Sequence, residues 1–331
     1  MGNATIARVC VIPAIQKSRN GIVHALASQS PKIAQEVTRK NRIPHLYDNY
    51  DDLLTDSHID AIYIPLPNHL HRPWTLKCLE AGKPVLCEKP LACNAREADE
   101  MVRAAEASNL LLMEALMYRF HPRSRQIKKL VSDGSIGDPQ LVRAAFCYRM
   151  QKDLMDEGAN FRLNPETGGG ALLDVGCYGV SVARWLFGHE PTHVQAQAVF
   201  NSSGVDIHMV GSLEFPQGAL GSLEVSFVSA LQQTYSVFGQ EGAIELPHDA
   251  FIPWENDAFY SMRGAEEEVG REFVVAGVDE YRLMVEHFAD VVEGLAEPVF
   301  PLIDSVANLR VLDALAVAAR KKRAIEVNYT V

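Results

Sequence analysis

Two short stretches of this chain hold residue types that could move a proton at a bound ligand. One is Glu88-Lys89-Pro90. The other is Asp174-Val175-Gly176-Cys177-Tyr178, which follows Gly168-Gly169-Gly170. A tyrosine hydroxyl ordinarily titrates near ~10, and a nearby ammonium favours its phenolate and lowers that value. A Tyr and a Lys acting on one ligand could therefore exchange a proton with its hydroxyl or carbonyl oxygen. Asp174 and Tyr178 are four positions apart, which places them on one face of a helix running to about Phe187. The three glycines read as a flexible lead-in to that helix. His121, His189 and His193 show no ligand spacing, so no metal is expected.

The elements around Glu88 and Lys89 explain why that pair matters. Ala61–Pro65 is an apolar, β-branched run that reads as a buried parallel strand. A helix over His71–Ala81 follows, stopped by Gly82. Pro84–Cys87 is a second buried strand, and it delivers Glu88 and Lys89 at its carboxyl end. In an open parallel sheet that edge is where ligands bind. Asn68 and His71, after the preceding strand, fall at the same edge.

Further strands over 22–27 and 110–114, with helices over 31–40 and 95–107, give the strand–helix alternation of a doubly wound sheet. After His121-Pro122 the texture changes. Helix 123–132 is followed by closely spaced strands at 140–149, 193–200, 207–215, 219–226 and 234–239, which indicate an antiparallel sheet. Helices over 279–295 and 303–322 and a strand over 324–331 end the chain. The expected class is α/β for residues 1–119, then an α+β domain with a large, mostly antiparallel sheet over 120–331.

Acidic residues exceed basic ones by 42 to 31 among 331, giving a formal charge of −11. Nucleic acid and anionic membrane are therefore not expected partners. No apolar run approaches the ~20 residues of a membrane span, and no signal segment opens the sequence. Six cysteines lie far apart and several sit in apolar runs, which suits packed, reduced thiols and a cytoplasmic protein. Strands 207–215 and 219–226 are apolar at many positions (Ile207, Met209, Val210, Leu213, Phe215; Leu220, Leu223, Val225, Phe227). That exceeds the need of one buried face and predicts a homodimer or homotetramer.

The segment PLPNHLHRPWTLKCLEAGKPVLCEKPLACNAREADEMV, with GNATIARVCVIPAIQKS, MEALMYRFHP and GGGALLDVGCYGVSVARWLFG, closely resembles the glucose-fructose oxidoreductase / inositol dehydrogenase / rhizopine catabolism (Gfo/Idh/MocA) family. The resemblance is strongest to the dihydrodiol dehydrogenase and D-xylose dehydrogenase types, because Tyr178 stands where inositol-type enzymes place His. It implies a Rossmann dinucleotide-binding domain and an NAD(P)-dependent oxidoreductase acting on a sugar, polyol or cyclic diol. Lys89, Asp174 and Tyr178 would be catalytic. Tyr118 and Arg119 would line the substrate cleft, and Arg162 would either touch substrate or cofactor or form a surface salt bridge.

The resemblance also places the cofactor. Met1–Ala7 looks like the glycine turn itself in the family's G-x-A-x-I-A form, with Gly2, Ala4 and Ile6, leading into a helix over 5–18. Gly2 and Ala4 would let the backbone approach a pyrophosphate at that helix's N-terminus. Leu66, Pro67, Asn68, His71, Glu88 and Lys89 would complete the cofactor edge. The strand that should precede the turn is missing from this sequence, and in the order 3-2-1-4-5-6 it is the central one. An alternative makes Thr5–Ile12 the first strand, although no glycine turn follows it. After strand 22–27 comes Ser28-Gln29-Ser30, with no carboxylate for an NAD ribose, so NADP is expected and NAD remains possible. Gln29 stands where NADP-preferring relatives often carry Arg. A catalytically silent nucleotide-sensing or interaction protein is the competing reading, favoured by Gln29 and the missing strand.

Overall fold

The computed structural model describes residues 1–155 and 160–329, and the chain divides into two compact units. The first comprises Met1–Phe120 together with Asp279–Val306. The second comprises His121–Val278 and the chain from Ala307 onward. The sequence reading had assigned 279–306 to the second domain.

The first unit holds five parallel strands of three residues each: β1 (Ala25–Ala27), β2 (His45–Tyr47), β3 (Ile62–Ile64), β4 (Val85–Cys87) and β5 (Leu112–Glu114). They form two separate sheets, β1–β2 and β3–β4–β5. Residues 5–17 are helical, with a π-helical turn at Ala7–Val11 running into α1 (Ile12–Lys17). The opening segment is therefore a turn followed by a helix, and Thr5–Ile12 is not a strand. Its first two residues reach both sheets: the Met1 amine donates to Tyr63 O at 2.9 Å, and the Gly2 amide donates to Ala27 O at 2.7 Å.

The helices between the strands are α2 (Pro31–Asn41), α3 (Tyr50–Thr55), α4 (His71–Glu80) and α5 (Ala95–Ser108). Their ends follow local chemistry. Pro31 opens α2 and Asn94 caps α5 by accepting the Glu97 amide at 3.0 Å. Gly82, at φ +75°, ends the segment containing α4, and Asn109, at φ +53°, ends α5. The sequence reading missed β2 and α3, whose strand is short and half-exposed.

In the second unit α6 (Pro122–Ser132) and α7 (Cys177–Phe187) accompany β6 (Pro139–Arg149), β7 (His193–Phe200), β8 (Asp206–Glu214), β9 (Leu220–Ser226), β10 (Val228–Gly239), β11 (Gly242–Glu245), β12 (Ala258–Gly264), β13 (Arg271–Val275) and β14 (Ile325–Glu326). These form one nine-stranded sheet in the order β13-β12-β11-β10-β6-β9-β8-β7-β14. Neighbours are antiparallel except β6 and β9, which run parallel. Strands β11 to β13 extend the sheet beyond the sequence expectation. The expected strand over 324–331 is reduced to Ile325–Glu326 among the described residues. One sheet face carries α7, which comes closest at Gly179, where a Cβ would lie 2.3 Å from Leu223 Cδ1. Of the apolar residues noted on β8, β9 and their flanks, Met209, Leu213, Phe215, Leu223, Val225 and Phe227 are buried, whereas Val210 and Leu220 are exposed.

Two long helices close the chain, α8 (Glu280–Val292) and α9 (Ile303–Lys321). The first belongs to the first unit, where residues of its own length are tied. Asn20 donates to Glu286 O and to Asp290 Oδ1, both at 2.9 Å, and Arg19 pairs with the same two acidic residues.

Candidate active site

At the carboxyl ends of β3 to β5, three side chains fix the loop that carries Lys89. The Tyr63 hydroxyl donates to Glu88 Oε1 at 2.7 Å. Both ring nitrogens of His71 meet carbonyls, Nδ1 at Pro90 O (2.9 Å) and Nε2 at Leu66 O (2.7 Å). Glu114, at the end of β5, accepts the Leu91 amide at 2.9 Å. Glu88, Pro90 and Leu91 are thus each held, and half-buried Lys89 sits among them. Burial raises the Tyr63 hydroxyl well above its ordinary range, with the Glu88 charge acting in the same direction. Burial likewise raises Glu114.

His71 is fully buried, so it does not present its ring to a ligand as expected. It clamps the Leu66 turn to the Pro90 loop. Two carbonyl acceptors favour a doubly protonated ring, whereas burial opposes the charge. Burial is the larger effect and brings the pKa down to about 4. At neutral pH the ring therefore has one N–H for two acceptors.

The glycine turn has the features of a phosphate cradle. Gly2 sits at φ +83°, and a Cβ there would lie 2.7 Å from Leu66 Cδ2. Asn3 Nδ2 is buried without a hydrogen-bond partner at this turn. Ala4 O accepts the Arg8 amide at 3.1 Å, and Ile6 leads into the π-helical turn. A glycine with no room for a side chain, an unsatisfied amide donor and a helix N-terminus together suit a dinucleotide's pyrophosphate. The next turn departs from expectation. Ser28 is buried and its Oγ accepts the Ser30 amide at 3.1 Å, which leaves exposed Gln29 and Ser30 to face a ligand. Leu66 and Asn68 are buried, and Pro67 is half-buried at the start of the Asn68–Leu70 turn.

Tyr118 and Arg119, expected in the substrate cleft, are buried within the first unit. Arg119 pairs with Asp304 at 2.9 Å, lies 4.8 Å from the Phe300 ring centroid and donates to the Tyr118 hydroxyl at 3.3 Å. A guanidinium so committed anchors 279–306 to β5, which gives the pair a packing role.

In the second unit Asp174 lies in a π-helical turn (Leu172–Gly176), and Tyr178 lies in α7, which continues it. Asp174 Oδ2 accepts from the Tyr148 hydroxyl at 3.0 Å and from Arg162 Nε at 3.1 Å. The Asp174 charge raises the Arg162 pKa; burial, then Asp174, raises Tyr148. Of the two expectations for Arg162, the structure shows an ion pair, made with Asp174. Tyr178 is buried, its ring 5.4 Å from Phe146 and 5.7 Å from Phe251.

The glycines before this turn are tightly packed, contrary to the flexible lead-in expected. A Cβ on Gly169 would lie 2.6 Å from Arg162 O. One on Gly170, at φ +125°, would lie 2.3 Å from Asp206 Oδ1. Asp206 Oδ2 in turn accepts the Leu172 amide at 2.7 Å. Among the described residues no cluster of side chains is arranged to hold a metal ion, and no helix is long and apolar enough to cross a membrane.

Comparison with known proteins bears on both units. The profile described as "Oxidoreductase family, NAD-binding Rossmann fold" matches residues 1–116, and that of the GFO/IDH/MocA C-terminal domain matches residues 124–245. The chain belongs to the Gfo/Idh/MocA oxidoreductase family. It is 36% identical over 329 residues to a D-xylose 1-dehydrogenase (NADP(+)) of Haloferax volcanii, covering 99% of this chain and 98% of the relative. It is 33% identical to trans-1,2-dihydrobenzene-1,2-diol dehydrogenase of Xenopus tropicalis, over 76% of this chain and 74% of that one. Among solved structures, aldose-aldose oxidoreductase from Caulobacter crescentus with glycerol superposes with a TM-score of 0.88 at 26% identity, over 98% of each chain. A 3-ketoreductase from Actinomadura kijaniata, in complex with TDP-benzene and NADP, gives 0.85 at 27%, over 96% of this chain and 95% of that one.

Within this family member, Tyr148 and Asp206 are the site residues that the sequence reading overlooked. Neither lies in a motif. Each reaches the glycine-rich turn from a strand, β6 and β8 respectively.

Burial also makes the fold sensitive to pH. The unfolded His71 ring takes up a proton near 6.5 and the folded ring only near about 4, so the unfolded state binds more protons between those values. Stability supplied by the neutral ring is thus lost as pH falls through that window, on the order of 3 kcal/mol for the full shift. Burial moves His121 the same way, also to about 4. Asp206 works oppositely: burial raises it from 3.8 to about 6, so its contribution declines as pH rises between those values. His71→Gln, which keeps an N–H donor but no titrating ring, should flatten the fall in melting temperature between pH 6.5 and 4. An unchanged slope would show that the clamp does not carry it.

Proposed function

We propose that this chain is an NADP-dependent dehydrogenase or reductase acting on the CH–OH group of a sugar or cyclic diol. The observation that carries the reading is Asp174, held by Tyr148 and Arg162 four residues ahead of Tyr178. That is an oriented carboxylate and a phenol in one short segment. The curated relatives named for NADP and for sugar or diol oxidation support it. The fit of the glycine turn to a pyrophosphate supports the cofactor.

When bound, NADP exchanges the hydride with the substrate carbon. Gly2, Asn3 and the N-terminus of the helix over 5–17 would hold its pyrophosphate, and Gln29 and Ser30 would face its ribose. In oxidation Tyr178 accepts the proton of the reacting hydroxyl; in reduction it returns a proton to the carbonyl oxygen. Lys89, on the buried loop after β4 of the first unit, is proposed as a further catalytic residue. Asp174 accepts hydrogen bonds from the substrate hydroxyls, and Tyr148 and Arg162 keep its carboxylate aimed. The aromatic surround of Tyr178 excludes water from the transferred proton. Free thiols at all six cysteines accord with a reducing, cytoplasmic setting.

Replacing the acid–base group should cost turnover and leave the fold in place. Tyr178→Phe and Lys89→Ala should each lower kcat on the order of 10²–10⁴-fold with NADP and a pentose or cyclic diol. Unchanged circular dichroism would exclude unfolding as the cause. Near-wild-type turnover in Tyr178→Phe would remove the acid–base assignment.

NADP should bind more tightly than NAD, because no carboxylate follows β1 to accept the ribose diol. Gln29→Arg should widen the difference by adding a charge-assisted contact to the 2′-phosphate. Dissociation constants with a clear NAD preference would contradict this.

We also propose a homodimer or homotetramer, built through the outer face of the nine-stranded sheet. Val199, Val210 and Leu220 are 55%, 48% and 48% exposed there. Light scattering at micromolar concentration should give a mass above that of one chain, and Val210→Glu with Leu220→Glu should reduce it. A monomer in the unsubstituted chain would rule the interface out.

A further inference from the structure

Two buried side chains of the second unit fix one loop beside Tyr178. Arg123, at the start of α6, is fully buried. Its guanidinium donates to two successive carbonyls, Ala250 O through Nη1 and Phe251 O through Nη2, the latter at 3.0 Å. Gln233 of β10, also buried, answers the amides of the same loop. Its backbone carbonyl accepts from Ala250 N at 2.9 Å and from Phe251 N at 2.8 Å, and its Oε1 accepts from Ile252 N at 3.3 Å. Its Nε2 donates to Asp249. Residues 249–252 are thus bound at every position, although they lie between β11 and β12.

The loop delivers the Phe251 ring. Its centroid lies 5.7 Å from that of Tyr178, 6.0 Å from Phe146 and 5.2 Å from Tyr235. Phe146 in turn lies 5.4 Å from Tyr178, so Tyr178, Phe146 and Phe251 form a triangle of packed rings. Two corners are placed by regular elements, Tyr178 by α7 and Phe146 by β6. The third depends on the two clamps. Burying a guanidinium is costly, and apolar side chains of similar volume often serve stability as well. What the guanidinium offers here is its rigid fork, which meets two adjacent carbonyls at once where an ammonium donates from a single point.

We propose that Arg123 is a positioning residue for the proton-transfer step: by fixing the Phe251 backbone it holds the Phe251 ring against Tyr178 and so sets where the phenol oxygen points. The inference rests on the acid–base role proposed for Tyr178. The carboxylate that orients substrate is anchored separately, because Asp174 is held by Tyr148 and Arg162. Loosening Phe251 therefore misaligns proton transfer and leaves substrate binding in place. A misplacement of about 1 Å can cost on the order of 10²-fold in rate.

The test uses Phe251→Leu and Arg123→Lys in the full chain, with NADP and a pentose. Each should lower kcat about tenfold or more and leave KM for the sugar within about twofold. Added to Tyr178→Phe, the same substitutions should cost less than about twofold further, because the ring they align has lost its hydroxyl. Without cofactor, the fluorine resonance of Tyr178 in fluorotyrosine-labelled chain, identified by its loss in Tyr178→Phe, should shift or broaden in both variants. Phe251→Leu keeps an apolar side chain in place, so it tests the ring contact even where the Arg123 substitution unfolds the chain. Wild-type kcat in Phe251→Leu, an unmoved resonance, or equal losses with and without the Tyr178 hydroxyl would overturn the proposal and leave the acid–base role of Tyr178 standing. Undiminished turnover in Tyr178→Phe would remove both.

Discussion

The first unit must hold the edge that carries Glu88 and Lys89 on a sheet that comes in two pieces. In an unbroken parallel sheet, neighbouring strands fix each other's carboxyl ends through their ladders. Here each strand is only three residues long and the ladder stops between β1 and β3. Side chains take over the work of positioning. His71 joins the Leu66 turn to Pro90, Tyr63 holds Glu88, and Glu114 holds Leu91. All three are buried or partly buried, so each bond forms where water competes little and a missing partner is costly. Lys89 is placed by this scaffold more than by its own strand.

The second unit solves the same problem differently. Its sheet is continuous over nine strands, and the glycine-rich turn is pressed against it. Gly169 and Gly170 permit an approach that any Cβ would block, and Asp206 closes the arrangement from β8. The result is a π-helical turn carrying Asp174 and held from both sides. Such turns widen the helix and are frequent at functional sites.

Much of this could be read from the sequence because the signals were local. The run Val85–Cys87 marks a buried strand by composition alone, and its end gives Lys89 its place. The glycine turn and the helix after it are legible in the same way. What escaped depends on contacts between distant positions. Tyr148 meets Asp174 across 26 positions and Asp206 meets Leu172 across 34, and no periodicity encodes either. Strands β11 to β13 escape because they are four to seven residues long and include Gly242, Ser261, Arg263, Gly264, Arg271 and Glu272, which read as loop. The glycine run reads as a flexible lead-in because a sequence shows conformational freedom but not a neighbouring carbonyl. Arg119 looked like a ligand-binding cation because its partner, Asp304, lies far along the chain.

The division of the chain into units has a consequence for synthesis. A ribosome delivers residues 1–120 first, yet that unit also needs 279–306, which follow most of the second unit. Until then Arg119 has no Asp304, and Asn20 has no Glu286 carbonyl or Asp290 carboxylate. The second unit has a similar debt, since β6 waits about 70 residues for its parallel partner β9. The first unit of this protein therefore cannot be completed until residues 279–306 have emerged.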